Sequence, residues 1–234
     1  MILKLDRIAG KYSEEKGFEK VITSYKIREI IKFIKGPDVL DLGCGEGIIT
    51  RAIASLNFHV VAVDGSKLKL QKAKKNISNN NVKFIHSFFE NFDPPVKFNS
   101  IVMSNILEHV NKPDKLLTRA KSWLKHDGRI IATVPNADSL NRLLGLKMGV
   151  ISGKKELTAE DKHKGHRRVY DMKSLKTDFK SAGFKVKFMG GIFLKPLPHK
   201  YMEKIGDENI YEGLYKLRLE YPNLCSSLIA VALK

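Results

Sequence analysis

Three histidines and a set of carboxylates carry most of the reactive potential of this sequence. The unperturbed pKa of histidine suits proton transfer near neutrality, so His109, His163 and His166 are candidate general bases for an acceptor that must lose a proton. His109 closes a Leu-Glu-His-Val turn; the alternative for it is an imidazole hydrogen-bonded structurally in a loop. His163 and His166 stand three residues apart and could equally bind an anion. The same spacing could serve a metal ion, but the sequence identifies no third ligand, so no metal is predicted. Three carboxylates, Asp41, Glu46 and Asp64, lie upstream in a stretch built for binding.

That stretch begins with VLDLGCGEG, residues 39–47. Val39 to Leu42 suit a buried parallel strand, and Gly43, Gly45 and Gly47 let a tight turn bring backbone close to a ligand. Glu46 to Leu56 reads as the helix that follows. A strand, a glycine turn and a helix N-terminus make a site for an anionic group, because free N–H groups and the helix dipole point at it. A dinucleotide would want a third glycine at position 48, which is Ile48, and Asp41 and Glu46 would repel a pyrophosphate. The G-x-x-x-x-G-K-[ST] pattern of nucleotide-hydrolysing loops occurs nowhere. S-adenosylmethionine, with a carboxylate, an ammonium and no phosphate, fits better. A second strand, Phe58 to Val63, ends at Asp64-Gly65-Ser66. An acid at that place can accept both hydroxyls of a ribose. The alternative for Asp64 is the N-cap of the polar helical run Lys67 to Asn76, and one residue could serve both ends.

Together these motifs resemble the class I S-adenosylmethionine-dependent methyltransferase family. Leu40 to Gly47 matches its first motif, hydrophobic-hydrophobic-Asp-x-Gly-x-Gly-x-Gly, and Asp64 its acidic second. FIHSFFENF (84–92) is similar to the segment that holds the adenine, with Ser87 where an acid is usual and Phe88 beside it. FNSIVMSNILEHVNKP (98–113) resembles the strand and turn beneath the sulfonium. Its LEHV is like the small-molecule, ubiquinone-pathway branch, methyltransferase types 11, 12 and 23. LKHDGRIIATVPN (124–136) resembles the turn and strand after it. The resemblance implies that Asp41, Gly43, Gly45 and Glu46 hold the methionine part, Asp64 the ribose, and Ser87 and Phe88 the adenine. Cys44, Gly65, Ser66 and Phe89 complete the set, with Asn105 and Ile106 beside the reacting group. It also implies methyl transfer to an oxygen or nitrogen of a small molecule, leaving S-adenosylhomocysteine.

Strand patterns near 38–42, 58–63, 82–86, 98–103 and 128–134 alternate with helical ones, and two more follow at 184–193 and 226–234. This predicts an α/β fold: a Rossmann-like, doubly wound, seven-stranded and mostly parallel sheet with helices on both faces. The resemblance implies that the final strand inserts antiparallel. At 234 residues and 43% hydrophobic content one domain can bury a full core without disulfides. It divides into an N-terminal helical segment (1–36), a cofactor-binding core (37–136), an insertion (137–170) and a substrate-side part (171–234). Only Cys44 and Cys225 occur, and no leader-like or membrane-spanning apolar run is evident, so a reducing, cytoplasmic location is expected.

The insertion is too long for an ordinary connection. Leu140, Leu143, Leu144 and Met148 recur at helical spacing, suiting a lid, a surface helix or a homodimer contact. Its second half, EDKHKGHRRVYD, resembles a Gly-His-x-Arg-x-Tyr stretch of methyltransferases near sugar and cell-surface biosynthesis, which makes Arg167 and Tyr170 candidate substrate-binding residues. Downstream, Tyr201, Tyr211 and Tyr215 could line a pocket or simply pack. The net charge is +17, and residues 112–200 hold 21 Lys and Arg against 8 Asp and Glu. An anionic acceptor is therefore admissible. A nucleic acid is less favoured, because 33 of the 42 basic residues are lysine whereas base readers and stacking platforms favour arginine and aromatics. Methylation of RNA or protein, and a non-catalytic cofactor-binding module, stand as alternatives, with a nicotinamide dehydrogenase last.

Overall fold

The computed structural model describes Asp6 and residues 16–234. Helix α1 (Gly17–Phe33) falls in the expected N-terminal helical segment; the rest of that segment before residue 16, Asp6 aside, lies outside the described residues. Then come β1 (Asp38–Leu42), α2 (Ile48–Ala54), β2 (His59–Asp64), α3 (Lys67–Asn76), β3 (Val82–His86), β4 (Phe98–Ser104), α4 (Pro113–Ser122) and β5 (Leu124–Pro135). The insertion carries α5 (Leu140–Lys147) and α6 (Ala159–Lys164). After it follow α7 (Met172–Ser181), β6 (Lys185–Gly191), α8 (His199–Ile205), α9 (Glu208–Lys216) and β7 (Ser227–Leu233).

The seven strands form one sheet in the order β3-β2-β1-β4-β5-β7-β6. β1 to β5 pair in parallel, while β7 is antiparallel to both β5 and β6. Six strands therefore run one way, and their carboxyl ends line a single edge of the sheet. The central strands carry apolar residues on both faces because helices cover both. Leu40, Leu42, Ile101, Met103, Ile130 and Ala132 point to one core with Leu116, Leu117 and Phe179 of α4 and α7. Val39, Val102 and Ile131, which alternate with them along the strands, point to the other core with Ile22, Ile30, Ile49 and Ile53 of α1 and α2. This is the two-residue period of a strand. The edge strands β3 and β6 carry exposed Lys83, Lys185 and Lys187, charges that discourage edge-to-edge pairing.

Two boundaries differ from expectation. α2 starts at Ile48 rather than Glu46, because Gly47 takes a left-handed φ of 83° that no helix accepts. β5 begins four residues early, at Leu124, where a register shift in its pairing with β4 between Phe98 and Ser100 absorbs the HDG turn. The insertion is closed at its base: Asn136 bridges Tyr170, and the Ala137 amide donates to the Tyr170 carbonyl at 2.6 Å. Within it Arg142 ties α5 to α6, its Nε donating to the Lys154 carbonyl at 3.0 Å and its guanidinium meeting Asp161 at 3.1 Å. No residue of α5 is fully buried, and Met148 beyond its end is 66% exposed. Tyr211 and Tyr215 pack in the core while Tyr201 is exposed, so packing accounts for two of the three tyrosines. Among the described residues no helix is long and apolar enough to cross a membrane.

Candidate functional site

The glycine loop leaves β1 at its carboxyl end. Gly43, Gly45 and Gly47 all have positive φ, at 84°, 56° and 83°, a region that side chains with a Cβ rarely enter. The Gly43 and Cys44 amides donate to the Val63 carbonyl at 2.7 and 3.0 Å, which straps the loop to β2. A Cβ on Gly43 would lie 2.0 Å from Cδ1 of Ile106, so this glycine also lets the loop touch the turn after β4. Asp41 is buried and accepts from the Thr50 hydroxyl at 2.6 Å; Glu46 is buried and paired with Lys72 at 2.9 Å. The Cys44 thiol is raised well above its ordinary range, by burial first and then by the charges of Asp41 and Asp64.

Asp64 ends β2 and spans two turns. Its Oδ2 accepts the Gly45 amide at 2.9 Å and its Oδ1 the Ser66 amide at 2.8 Å. The N-cap of α3 is Ser66, not Asp64: the Ser66 hydroxyl accepts from the Lys69 amide at 3.2 Å and donates to Asp6 at 2.5 Å. Ser87 joins the same edge through its amide, which donates to the Asp64 carbonyl at 3.1 Å, while its hydroxyl turns to the Phe88 carbonyl. Phe88 and Phe89 are half-buried beside it, and Phe89 approaches the Cβ direction of Gly43 within 3.3 Å.

At the end of β4, Asn105 takes a φ of +56°, which asparagine tolerates better than other side chains. Its amide donates to the Thr133 carbonyl at 2.9 Å, and its Nδ2 donates to Oε1 of Glu108 at 2.9 Å. Glu108 is fully buried, and its second oxygen, Oε2, has no hydrogen-bond partner among the described residues. His109 follows, with Nδ1 3.3 Å from the Gly165 carbonyl, and the His109 and His166 rings meet edge to face with centroids 4.8 Å apart. His166 Nδ1 lies 3.1 Å from Asp161 Oδ1. Asp161 is itself fixed by a capping box with Thr158 at the start of α6, and α6 ends on Gly165 in the left-handed conformation. Potential ligand atoms of Glu108, His109 and His166 all lie within 4.8 Å of one another.

Burial sets the charge states here. It raises Glu108 to about 7 against the opposing pull of His166, and with the nearby His166 it lowers His109 to about 4. Burial also opposes ionisation of Asp161, but hydrogen bonds from His166, Thr158 and Arg142 outweigh it and hold Asp161 below the usual carboxylate range. Near neutrality His109 is a neutral imidazole and Asp161 a carboxylate.

The structure thus brings His109 and His166 together and leaves His163 exposed on α6, outside the cluster. The third potential ligand that a pair at 163 and 166 lacked is found for a different pair. Tyr170 is 2% exposed and its hydroxyl donates to Asp178 at 2.7 Å, so its side chain is engaged in packing. Arg167 stays at the rim, exposed, with Nε donating to the His109 carbonyl at 3.0 Å. Sequence reasoning gave no role to Glu108, Asp161 or Arg168. The last clamps the turn from below, donating to the carbonyls of Leu107, Val110 and Asn111. A capping-box pattern over Thr158 to Asp161 was a legible signal for Asp161; a carboxylate buried by contacts distant in sequence, as Glu108 is, leaves none. A cleft of about 460 Å³ between Asn136, Asp138, Leu143, Lys154 and Asp171 contains none of the loop or cluster residues.

Residues 15–187 match the methyltransferase domain family of type 23. The chain is 32% identical over 118 residues to a mitochondrial ubiquinone biosynthesis O-methyltransferase of Schizosaccharomyces pombe, covering 48% of this chain and 43% of that one. It is 33% identical over 119 residues to a ubiquinone biosynthesis O-methyltransferase of Pelagibacter ubique, covering 50% of each. The aligned stretch therefore spans about half or less of these curated relatives. Among solved structures, an S-adenosylmethionine dependent methyltransferase from Mesorhizobium loti superposes over 93% of this chain and all of its own, with TM-score 0.66 at 14% identity, which establishes the likeness of fold. With the family match covering most of its length, this chain belongs to the methyltransferase domain family, on a Rossmann-like seven-stranded sheet.

Proposed function

We propose that the chain transfers a methyl group from S-adenosylmethionine to a small-molecule acceptor. The observation that carries this reading is a chain of contacts: Asp64 holds the loop at the Gly45 amide, Gly43 of the loop meets Ile106, and the Ile106 carbonyl accepts the amide of His109, which clusters with Glu108 and His166. The residues fit the donor. Each Asp64 oxygen accepts one amide and keeps acceptor capacity for a ribose hydroxyl. The loop glycines leave room for close backbone approach, and Asp41 and Glu46 supply negative charge near an ammonium. Ser87, Phe88 and Phe89 serve the adenine, with Gly65 and Ser66 beside the ribose. When bound, S-adenosylmethionine supplies a methyl group already activated on a sulfonium.

The protein's own task is to align the acceptor, and alignment can lower a barrier by roughly 7–11 kcal/mol. Both relatives named above are O-methyltransferases, so oxygen is the favoured atom, and a hydroxyl must lose its proton. His166 suits that role. Ionised Asp161 accepts a hydrogen bond from Nδ1–H and so leaves the ring lone pair on Nε2, the arrangement that orients an imidazole toward an acceptor proton. His109, turned by the Gly165 carbonyl, flanks it.

A second reading of the same cluster is favoured by the orphaned Oε2 of Glu108. One carboxylate and two imidazoles, with both Nδ1 atoms already held by outer partners, are a donor set suited to a divalent cation. Dialysis against a chelator separates the readings: unchanged turnover supports acid–base work alone, and loss restored by magnesium or zinc supports the cation. The methyltransferase reading itself is tested with methyl-labelled S-adenosylmethionine and a size-fractionated cell extract. Label in small molecules is expected. Label that ribonuclease or protease removes would replace the small acceptor with RNA or protein.

A further inference from the structure

Lys195 is a buried cation that none of the roles above employs. It stands four residues beyond Gly191, the end of β6, and β6 runs parallel to β1–β5, so Lys195 reaches the same sheet edge as the loop and the histidine cluster. It is only 9% exposed. Among the described residues its ammonium makes no hydrogen bond and no ion pair, although buried lysines are ordinarily paired.

Its surroundings add to the imbalance. Lys26 of α1, also buried, lies 3.6 Å from Glu19 Oε1. Lys164 of α6 lies 4.0 Å from Glu19 Oε2 and 2.8 Å from Glu160, and His199 of α8 lies 3.6 Å from Glu19 Oε2. Glu19 thus draws together groups from three helices. The fields of Glu19, Glu160, Lys164 and Lys26 all act on Lys195, yet burial dominates and lowers it to about 8, so it stays mainly charged at neutrality. Burial and the Lys195 charge lower His199 to about 4, which leaves that ring neutral. Glu19 and Glu160 pair with Lys26, Lys164 and His199, and among the described residues the Lys195 ammonium is the surplus charge that no carboxylate pairs. A purely structural network would gain by neutralising the surplus, since an unpaired buried charge is costly and an apolar side chain of similar length is not.

The surplus backs onto the reaction site. Lys164 precedes Gly165, whose carbonyl holds His109, and the charge of Lys26 acts on Glu108. We propose that Lys195, flanked by Lys26 and Lys164, is a subsite for an oxyanion group, a carboxylate or a phosphate, carried by the methyl acceptor. This rests on the methyltransferase reading for the identity of the anion's bearer; the anion site stands on Lys195 and its neighbours.

The experiment titrates the full chain by calorimetry with sodium benzoate, with inorganic phosphate and with neutral benzamide, at constant ionic strength. Wild type is expected to bind benzoate or phosphate saturably and to ignore benzamide. Lys195→Met should weaken that binding at least tenfold while melting at or above the wild-type temperature, and Lys195→Arg should retain it. Preference for benzoate would mark a carboxylate on the acceptor, and preference for phosphate a phosphorylated one. Equal binding by wild type and Lys195→Met, no saturable binding of either anion, or a marked fall in the melting temperature of Lys195→Met would overturn the subsite. A parallel titration with S-adenosylhomocysteine keeps the two readings apart. Anion binding without cofactor binding sinks the methyltransferase reading, and cofactor binding without anion binding sinks the subsite alone.

Discussion

The glycine loop and the histidine cluster reach the same edge of the sheet by opposite means. The loop is made of backbone: nine consecutive residues place three left-handed glycines, the Gly43 amide is held by the Val63 carbonyl, and one carboxylate strap from Asp64 fixes the Gly45 amide. The cluster is made of side chains brought together across the chain, with His109 meeting Gly165 over 56 positions. A backbone site is specified where its residues stand and tolerates little change in shape. A side-chain site is specified by the elements beneath it, here the Asn105 turn and the capped helix α6, and its chemistry can change while its frame persists. The two should accordingly fail in different ways, the loop through cofactor affinity and folding, the cluster through turnover.

The largest contrast lies inside the loop. Gly43→Ala would set a Cβ 2.0 Å from Ile106 at a φ of +84°, and overpacking with left-handed strain should cost about 3–5 kcal/mol of stability. Gly45→Ala meets nothing closer than 3.9 Å and should cost only about 1–2 kcal/mol. Equal urea midpoints for the two variants would break the argument that the loop and the β4 turn are packed as one. On the cluster side, His166→Gln should lower kcat for a hydroxyl acceptor by about 10²–10⁴-fold and leave S-adenosylhomocysteine affinity unchanged. A parallel loss of cofactor affinity would mean the two regions are not separable.

Glu108 gives a signature in pH. Its carboxyl is raised from 4.5 to about 7, so between those values the folded chain keeps a proton that the unfolded chain has released. Stability from this group therefore falls as pH rises through that window and stays low above it. Glu108→Gln remains neutral throughout. The stability of the variant relative to wild type should rise by about 3 kcal/mol across the window, read from urea unfolding at a series of pH values. Parallel profiles would show that Glu108 is ionised in the folded chain. On the cofactor side, Asp64→Ala leaves two amides without their acceptor and should weaken cofactor binding by about 1.5–3 kcal/mol. Unchanged affinity by calorimetry would remove Asp64 from the ribose.

The difference between the regions also explains what the sequence made legible. The sheet, its strand positions and the glycine loop follow from local patterns: Val39, Leu40 and Leu42 put apolar side chains on both faces of β1, and three alternating glycines demand left-handed backbone. Asp64 at the end of β2 was placed by the same logic, although the cap passed to Ser66, whose hydroxyl reaches the Lys69 amide. The cluster was legible only in fragments. His109 and His166 were visible as reactive types, but nothing local announced that α6 would turn His166 toward His109 and leave His163 outside. The packing of Tyr170 was not legible either, because its bond to Asp178 forms only once α7 is in place. Lys195 sits among scattered lysines in the sequence, and only burial distinguishes it.

The antiparallel strand β7 has a consequence for how the molecule assembles. It lies between β5 and β6 and pairs Arg129 with Leu233 and Ala132 with Ala230, so one of the most buried strands is also among the most distant in sequence from its partner. Until residues 227–233 are available, β5 and β6 each present an open ladder and cannot join. Closure of so long a loop is entropically slow. The half of the sheet from β1 to β4 can form early from neighbouring segments, while the acceptor-side half waits for the late strand. In a cell, that interval is when the chain most needs protection from pairing with the wrong edge.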